Sequence, residues 1–342
     1  MRQFEEYQWI SRTKAGSESR KGQKWTRQTD LDVGPDDYEK AVPMRKWQLK
    51  LALSIAGVFV AATAVGSKTG ETDVVFRPGF VSTAAAEVRI AFRPDGRQIL
   101  WGSIGRDGNA DAQDIWESHQ QAAGWSTPAK VSFDTAAVEF DPAFSPDGTK
   151  LYFQSDRRGG FGGADIYVVD VLADTYDFSK PRNLGAGINT KGDEWAPTPT
   201  PDGNLIFSSD GWGGMGKHDL WEASLRSTSN AKHPQNLGPG VNGPDEDFDA
   251  TLDWDGHSLL FSSGTMDDSG VNVHLYRSVH GTAGWGPREL LSVGCSSFLI
   301  GASIDPRDRS HVYYAANCPG GQGRMDIRQV DSSLVFRNVG HP

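Results

Sequence analysis

A four-residue phrase returns at nearly constant intervals along this chain, and the interval limits what the chain can fold into. Arg93-Pro94-Asp95-Gly96, Ser145-Pro146-Asp147-Gly148 and Thr200-Pro201-Asp202-Gly203 are followed by two weaker copies, Asp253-Trp254-Asp255-Gly256 and Asp305-Pro306-Arg307-Asp308. The equivalent positions 95, 147, 202, 255 and 307 are 52, 55, 53 and 52 residues apart. A fixed period of about 50 residues marks a repeat architecture built from one recurring supersecondary unit.

The second repeat shows the unit best. Phe140 to Phe144 is a short apolar-rich run that ends in the Ser-Pro-Asp-Gly phrase. Proline presets φ at the first corner of a turn, and Asp-Gly tolerates the positive φ that tight hairpins need. Lys150 to Ser155 reads as a second strand, Asp156 to Ala164 as a Gly-rich loop, and Asp165 to Asp170 as a third strand; a weaker fourth lies near Lys180 to Leu184. Second strands recur at Gln98–Ser103, Asn204–Ser209, Ser258–Ser263 and His311–Ala316, and third strands begin at Asp114, Asp219, His274 and Asp326. Four short strands with turn signals between them form an antiparallel sheet, and such a sheet repeated radially is a propeller blade. The expectation is all-β: a five-bladed β-propeller of four-stranded antiparallel blades over residues 72–340. A linear array of sheets or a two-sheet sandwich is the alternative, and the strict spacing and constant strand order argue against it. The segment Phe76–Glu87 echoes Pro128–Glu139, so an outer strand precedes the first inner strand and can complete the last blade. The run Leu334–Val339 competes for that place, and the sequence leaves the choice open.

The stretch Phe144–Arg158 followed by Gly159–Tyr167 resembles the WD40-like propeller repeats of TolB-type proteins. Asn183–Glu194, with its echo Asn236–Asn242, is similar to the propeller segments that accompany OmpA-like proteins of bacterial envelopes. The resemblance covers about residues 74–340. It implies a propeller fold and an envelope location. It implies little about activity, because propellers host enzymes, lectins and scaffolds alike.

The segment before the repeats points to export. Met44–Lys50 is basic, Leu51–Ser67 is uncharged and mostly apolar, and Ala62-Thr63-Ala64 has the small-x-small pattern of a signal-peptidase site. Regions in that order read as a secretory signal peptide over residues 44–64, starting at an internal Met44. Residues 1–43 are polar and without apolar periodicity, so they lie upstream of the true start or are disordered. A single N-terminal anchor reaching about residue 67 is the alternative, and the basic flank puts the propeller outside the cytoplasm either way. The chain is acidic, with 34 basic and 44 acidic residues; 11 of the basic and 8 of the acidic ones precede Val65, so the remainder is more acidic still. That charge argues against nucleic acid and anionic membranes as ligands and favours a protein, a neutral glycan or a cation. A periplasmic or secreted monomer is expected.

Two cysteines occur, Cys295 and Cys318, both in repeat five. They flank a hairpin turning at Arg307-Asp308, in which paired residue numbers sum near 615; theirs sum to 613, which places them together at its open end. An oxidising compartment makes a disulfide there the expected outcome.

Candidate site residues follow from the repeats. Four inner strands begin with an acid eight residues before the turn aspartate: Glu87, Glu139, Glu194 and Asp247, with Asp141, Asp193 and Asp249 close by, while repeat five has Leu299 at that place. Inner strands line the central channel, so these acids are expected to converge near its mouth. There they can cap strands, bind a ligand or a divalent cation such as calcium, or serve as acid and base. The last option makes Glu139, Glu194 and Asp247 the carboxylates of a glycan hydrolase, an arrangement that resembles five-bladed glycosidases. In TolB-type repeats the same acidic position recurs, which implies a strand-capping role. Asp107, Asn109 and Asp111 alternate as calcium-loop ligands do, but without the distal acid, so an Asx-rich turn is the competing reading. Phe161 and Trp212 sit in Gly-rich loops on the face away from the tight turns, where aromatics can grip a sugar or a partner protein or simply pack loop on loop. No phosphate loop, dinucleotide fingerprint or nucleophile elbow occurs, and the eight histidines share no metal-binding spacing. The expected function is a non-catalytic protein- or glycan-binding module of the bacterial envelope, with the glycan hydrolase as alternative.

Overall fold

Each Pro-Asp-Gly phrase reverses the chain between two antiparallel strands. The computed structural model describes residues 73–172, 175–226, 233–267, 270–295 and 298–336. In it the N–H groups of Gly96, Gly148, Gly203 and Gly256 donate to the carbonyl three residues back, at 2.7–3.2 Å. Only the glycines are left-handed, with φ of 69–85°. The aspartates instead accept backbone N–H groups two residues on, Arg97 on Asp95 at 2.9 Å and Thr149 on Asp147 at 3.0 Å, as Asx turns do. The fifth copy has no glycine, and there Pro306 and Arg307 alone make the turn while Asp305 pairs with Asp308.

The inner strands are Ala86–Phe92, Glu139–Phe144, Glu194–Pro199, Glu246–Leu252 and Leu299–Asp305. The second strands are Gln98–Ile104, Lys150–Ser155, Asn204–Ser209, Ser258–Asp267 and Asp308–Ala316. The third are Gln113–Gln121, Asp165–Asp170, Asp219–Ser224, Gly270–Gly281 and Asp326–Asp331. Short outer strands, such as Arg182–Asn183 and Gln235–Asn236, finish the blades. The five inner strands touch one another in cyclic order, the last against the first. The chain is a five-bladed β-propeller. One large ring per blade, Trp101, Phe153, Phe207, Phe261 and Tyr314, lies fully buried at the same place in the second strands. These rings belong to the apolar clusters of the core, where each aromatic buries a large area.

Asp73–Val75 supplies the outer strand of blade five. It runs antiparallel to the third strand, with Asp73 opposite Val330, and Arg328 Nε donates to Asp73 Oδ1 at 2.7 Å. The competing C-terminal run forms the helix Ser332–Val335 instead, and Val335 packs into the core of blade five. Asp331 starts that helix by accepting the Ser333 N–H, so the chain leaves the sheet at the place where a further strand would begin. Blade four also differs from expectation. Gly264 to Val273, which by the repeat spacing corresponds to the Gly-rich loop Asp156 to Ala164, continues as a paired ladder down to Asp267 opposite Gly270. The intervening Thr265, Met266 and Val271 suit a strand, and that outweighs the two glycines, Gly264 and Gly270. Cys295 and Cys318 form a disulfide, next to the pairs Leu299–Ala316 and Ile300–Ala315, both of which sum to 615. The segments 1–43 and 44–64, the anchor alternative to 67 and the end of the run beyond 336 lie outside the described residues.

Candidate functional site

The acids that open the inner strands are turned inward. Glu87, Glu139, Glu194 and Asp247 are all 0% exposed. In the first three blades a threonine four residues earlier donates both its N–H and its hydroxyl to the glutamate: Thr83 at 3.0 and 2.6 Å, Thr135 at 3.1 and 2.7 Å, Thr190 at 2.8 and 2.6 Å. The Gly243 N–H does the same for Asp247 at 2.7 Å. Arg106, Arg157 and Arg288 add ion pairs to Glu87, Glu139 and Asp247 at 3.5, 2.8 and 3.0 Å. Each acid thus ties the loop arriving from the previous blade to its own strand. Asp326, Asp165 and Asp219 of the preceding blades act electrostatically on Glu87, Glu194 and Asp247. None of the four is open to solvent, and each is enclosed by donors from its own blade and the arriving loop.

Glu194 enters no ion pair among the described residues, and burial lifts its carboxyl from 4.5 to about 7. Glu87 and Asp247, also raised by burial but held by hydrogen bonds and an arginine, reach about 6. The folded state therefore holds a proton on Glu194 that the unfolded chain releases, so its contribution to stability falls as pH rises from about 4.5 to 7. Glutamine reproduces the neutral form, because Thr190 and Ser209 hydroxyls can accept as readily as they donate. Glu194→Gln is expected to be about 1–2 kcal/mol more stable than the parent at pH 8 and equal to it near pH 4.5. Thermal unfolding of both proteins across that range measures the difference, and a gap independent of pH contradicts the assignment.

Two residues further along, each inner strand is bulged. At Arg89, Asp141, Ala196, Asp249 and Gly301 the backbone is left-handed, with φ of 42°, 51°, 49°, 52° and 64°, and the pairing with the second strand slips there in all five blades. A bulge re-aims a side chain, and here it sends charged groups to the axis of the ring. Arg89 Nη1 meets Asp249 Oδ1 at 3.4 Å, and Nη2 donates to Thr198 Oγ1 at 2.7 Å and to the carbonyls of Pro197 and Ala250 at 3.1 and 3.2 Å. The Gly301 N–H donates to Asp249 Oδ2 at 2.9 Å. One guanidinium from blade one therefore binds blades three and four, and through Asp249 reaches blade five. Burial pushes Asp141 and Asp249 above the ordinary carboxylate range; the charge of Asp249 pushes Asp141 further, and Arg89 opposes both shifts.

On one side of this network, Val88, Phe140, Trp195, Phe248 and Ile300 from all five blades join one apolar cluster toward the loop face. On the other side, a cavity of about 300 Å³ has Arg89 among its walls and Pro94, Pro146, Pro201, Trp254 and Pro306 at the turns. The axis thus opens through the tight-turn face, while bulky side chains fill the loop side.

The loops of blades two, three and five share a device. The backbone N–H groups of Phe161, Met215 and Gln322 each donate to the aspartate four residues on, Asp165, Asp219 and Asp326, at 2.6, 2.6 and 3.0 Å. These aspartates are buried, so each loop tip is pinned from beneath. Phe161 and Met215 remain 49% and 50% exposed. Trp212 packs inward, its Nε1 donating to the Ile188 carbonyl at 2.8 Å. Asp107 accepts the Asn109 N–H and Asn109 accepts the Asp111 N–H, while Lys130 pairs with Asp107 at 2.8 Å; the local geometry is a turn closed by a cation from the protein itself.

No family model and no curated protein matches this chain. Among solved structures it is similar to TolB from Acinetobacter baumannii, at 18% identity and a TM-score of 0.45, covering 72% of this chain and 55% of that one. It is similar to the periplasmic gluconolactonase of Pseudomonas aeruginosa at 14% identity and 0.40, covering 70% and 71%. It is similar to an α-L-arabinofuranosidase from Lactobacillus brevis at 13% and 0.36, covering 56% and 71%. This chain therefore spans little more than half the length of that TolB. These likenesses concern the fold alone.

Proposed function

We propose that this chain is an exported, non-catalytic propeller of the bacterial envelope that docks a partner protein on the loops of blades two and three. The observation that carries the reading is the matched pair Phe161 and Met215: two large apolar side chains, half exposed at equivalent tips of neighbouring loops, each pinned by a buried carboxylate. Rigidly presented apolar groups lose little entropy on binding and are the kind of residue that anchors an interface. The disulfide supports export. The seclusion of Glu139, Glu194 and Asp247 favours binding over hydrolysis, since an acid or base must reach the bond it acts on.

The variant Phe161→Ser/Met215→Ser is expected to fold normally and to lose about tenfold or more in affinity for an envelope protein that the parent retains, measured by cross-linking in envelope extracts followed by titration with the purified partner. Release of sugar from a glycan by the parent, lost in Glu194→Gln, would replace this reading with the hydrolase.

A further inference from the structure

The repeats themselves expose an odd row of residues in blade three. Glu194 pairs with Ser209, and Ser209 with Asp219, so the next row toward the loop face is Asp193, Asp210 and His218. The same row reads Ala86, Ile104 and Gln113 in blade one and Glu246, Gly264 and Val273 in blade four. By the repeat spacing it reads Val138, Asp156 and Ala164 in blade two and Phe298, Asn317 and Met325 in blade five. Ala86, Ile104, Val138, Ala164, Val273, Phe298 and Met325 of these rows belong to one apolar core cluster. Only blade three carries three ligating side chains there, so the fold itself does not demand them. A buried polar group at an apolar repeat position is the informative case.

The three side chains are close and oriented. Asp193, Asp210 and His218 each offer a ligand atom within 4.8 Å of the others. The His218 side chain is 8% exposed, and its Nδ1 lies 2.7 Å from Glu246 Oε2. Its Nε2 is buried and has no hydrogen-bond partner. The Trp195 ring stacks on the imidazole at 3.7 Å between centroids and fixes its plane. The Ala164 N–H donates to Asp193 Oδ1 at 2.7 Å, and the Asp193 N–H to Asp210 Oδ1 at 2.8 Å, which orients both carboxylates. An imidazole whose Nδ1–H is held by a carboxylate has the lone pair of Nε2 directed outward, the arrangement that histidine ligands of metals adopt.

We propose that Asp193, Asp210 and His218, with Glu246 behind the histidine, form a site for a divalent transition metal, zinc first among them. One nitrogen and two carboxylate oxygens suit zinc better than calcium, which takes six to eight oxygens. Zinc–ligand distances of about 2.0–2.2 Å require the three groups to draw in by roughly 1 Å, and water completes the shell. Asp210 is exposed, so the ion enters from the loop face. There it clasps the start of the inner strand to the second and third strands of blade three.

The test uses the tag-free full chain, stripped with a chelator and titrated with zinc chloride, with metal content measured after gel filtration. One zinc per chain is expected, together with a rise in unfolding temperature. Asp210→Asn, at an exposed position that leaves folding intact, and His218→Ala should each bind at least about tenfold more weakly, and Glu246→Gln about 10–100-fold more weakly. Asp156→Asn, the same row in blade two, should bind as the parent does. Absence of zinc binding by the parent, unchanged binding in both Asp210→Asn and His218→Ala, or a preference for calcium over zinc overturns the proposal.

Discussion

Arg89→Leu is expected to cost about 3–5 kcal/mol of stability at pH 7, the largest effect of any single change described. The guanidinium is almost wholly buried, contacts Asp249, and supplies the donors for Thr198 Oγ1 and two carbonyls across the axis. Leucine keeps the bulk but leaves Asp249 charged without a cation. The left-handed backbone at this position, φ 42°, strains arginine and leucine alike, so the difference between them reports the charge. Two further results distinguish this cause from lost packing. Asp249→Asn in the Arg89→Leu background should recover part of the loss, because it removes the orphaned charge. The deficit should also shrink as pH falls from 7 toward 5. Burial already raises Asp141 and Asp249, and losing Arg89 raises them further. An acid with a raised folded value destabilises progressively as pH rises, so acidification relieves the variant more than the parent. Denaturant titrations at three pH values measure this; a deficit constant with pH assigns it to packing.

Removing the disulfide, by Cys295→Ser with Cys318→Ser or by reduction, is expected to cost about 3 kcal/mol from the freed chain entropy of a 23-residue separation. The bond has a specific place in the repeat. Cys295 stands four residues before Leu299, as Thr135 stands four before Glu139. The pairs Glu139–Ser155 and Leu299–Ala316 put Cys318 level with Arg157. Blade two closes its loop with Thr135, Glu139 and Arg157; blade five uses a covalent bond at the two outer positions and leucine between them. Transplanting the set as Cys295→Thr, Leu299→Glu and Cys318→Arg should recover part of the loss and make stability insensitive to reductant, as thermal unfolding with and without dithiothreitol will show.

The architecture was legible because periodicity survives weak local signals. The Pro-Asp-Gly steps mark the turn between the inner and second strand of each blade, and the hairpin sum brings the two cysteines together. The candidate site was less legible. Four of the five bulge positions hold arginine, aspartate or alanine, none of which advertises a positive φ as Gly301 does, so nothing announced that Arg89, Asp141 and Asp249 would turn to the axis. The fate of the strand-opening acids had a signal that went unused. Thr83, Thr135 and Thr190 each stand four residues before a glutamate, a repeated donor and acceptor pair that marks a closed loop. Local spacing does not reveal His218, because its partners Asp210 and Asp193 lie 8 and 25 residues away in the chain. Aligned by repeat register, it stands out against Ala164, Val273 and Met325. The closing strand, only Asp73 to Val75, is too short to carry a pattern.

That closing strand sets the order in which the ring can form. Its partner Arg328 lies 255 residues further along, so the earliest part of the propeller to emerge from a ribosome or a secretion channel stays unpaired until the last blade follows. Every earlier blade can zip from neighbours already present, but the circle has no closed form until blade five arrives. A chain interrupted within that blade is therefore not a smaller propeller. It is an open arc with a bare sheet edge at each end, the kind of surface that recruits other chains, so quality control of the whole molecule rests on its final strands.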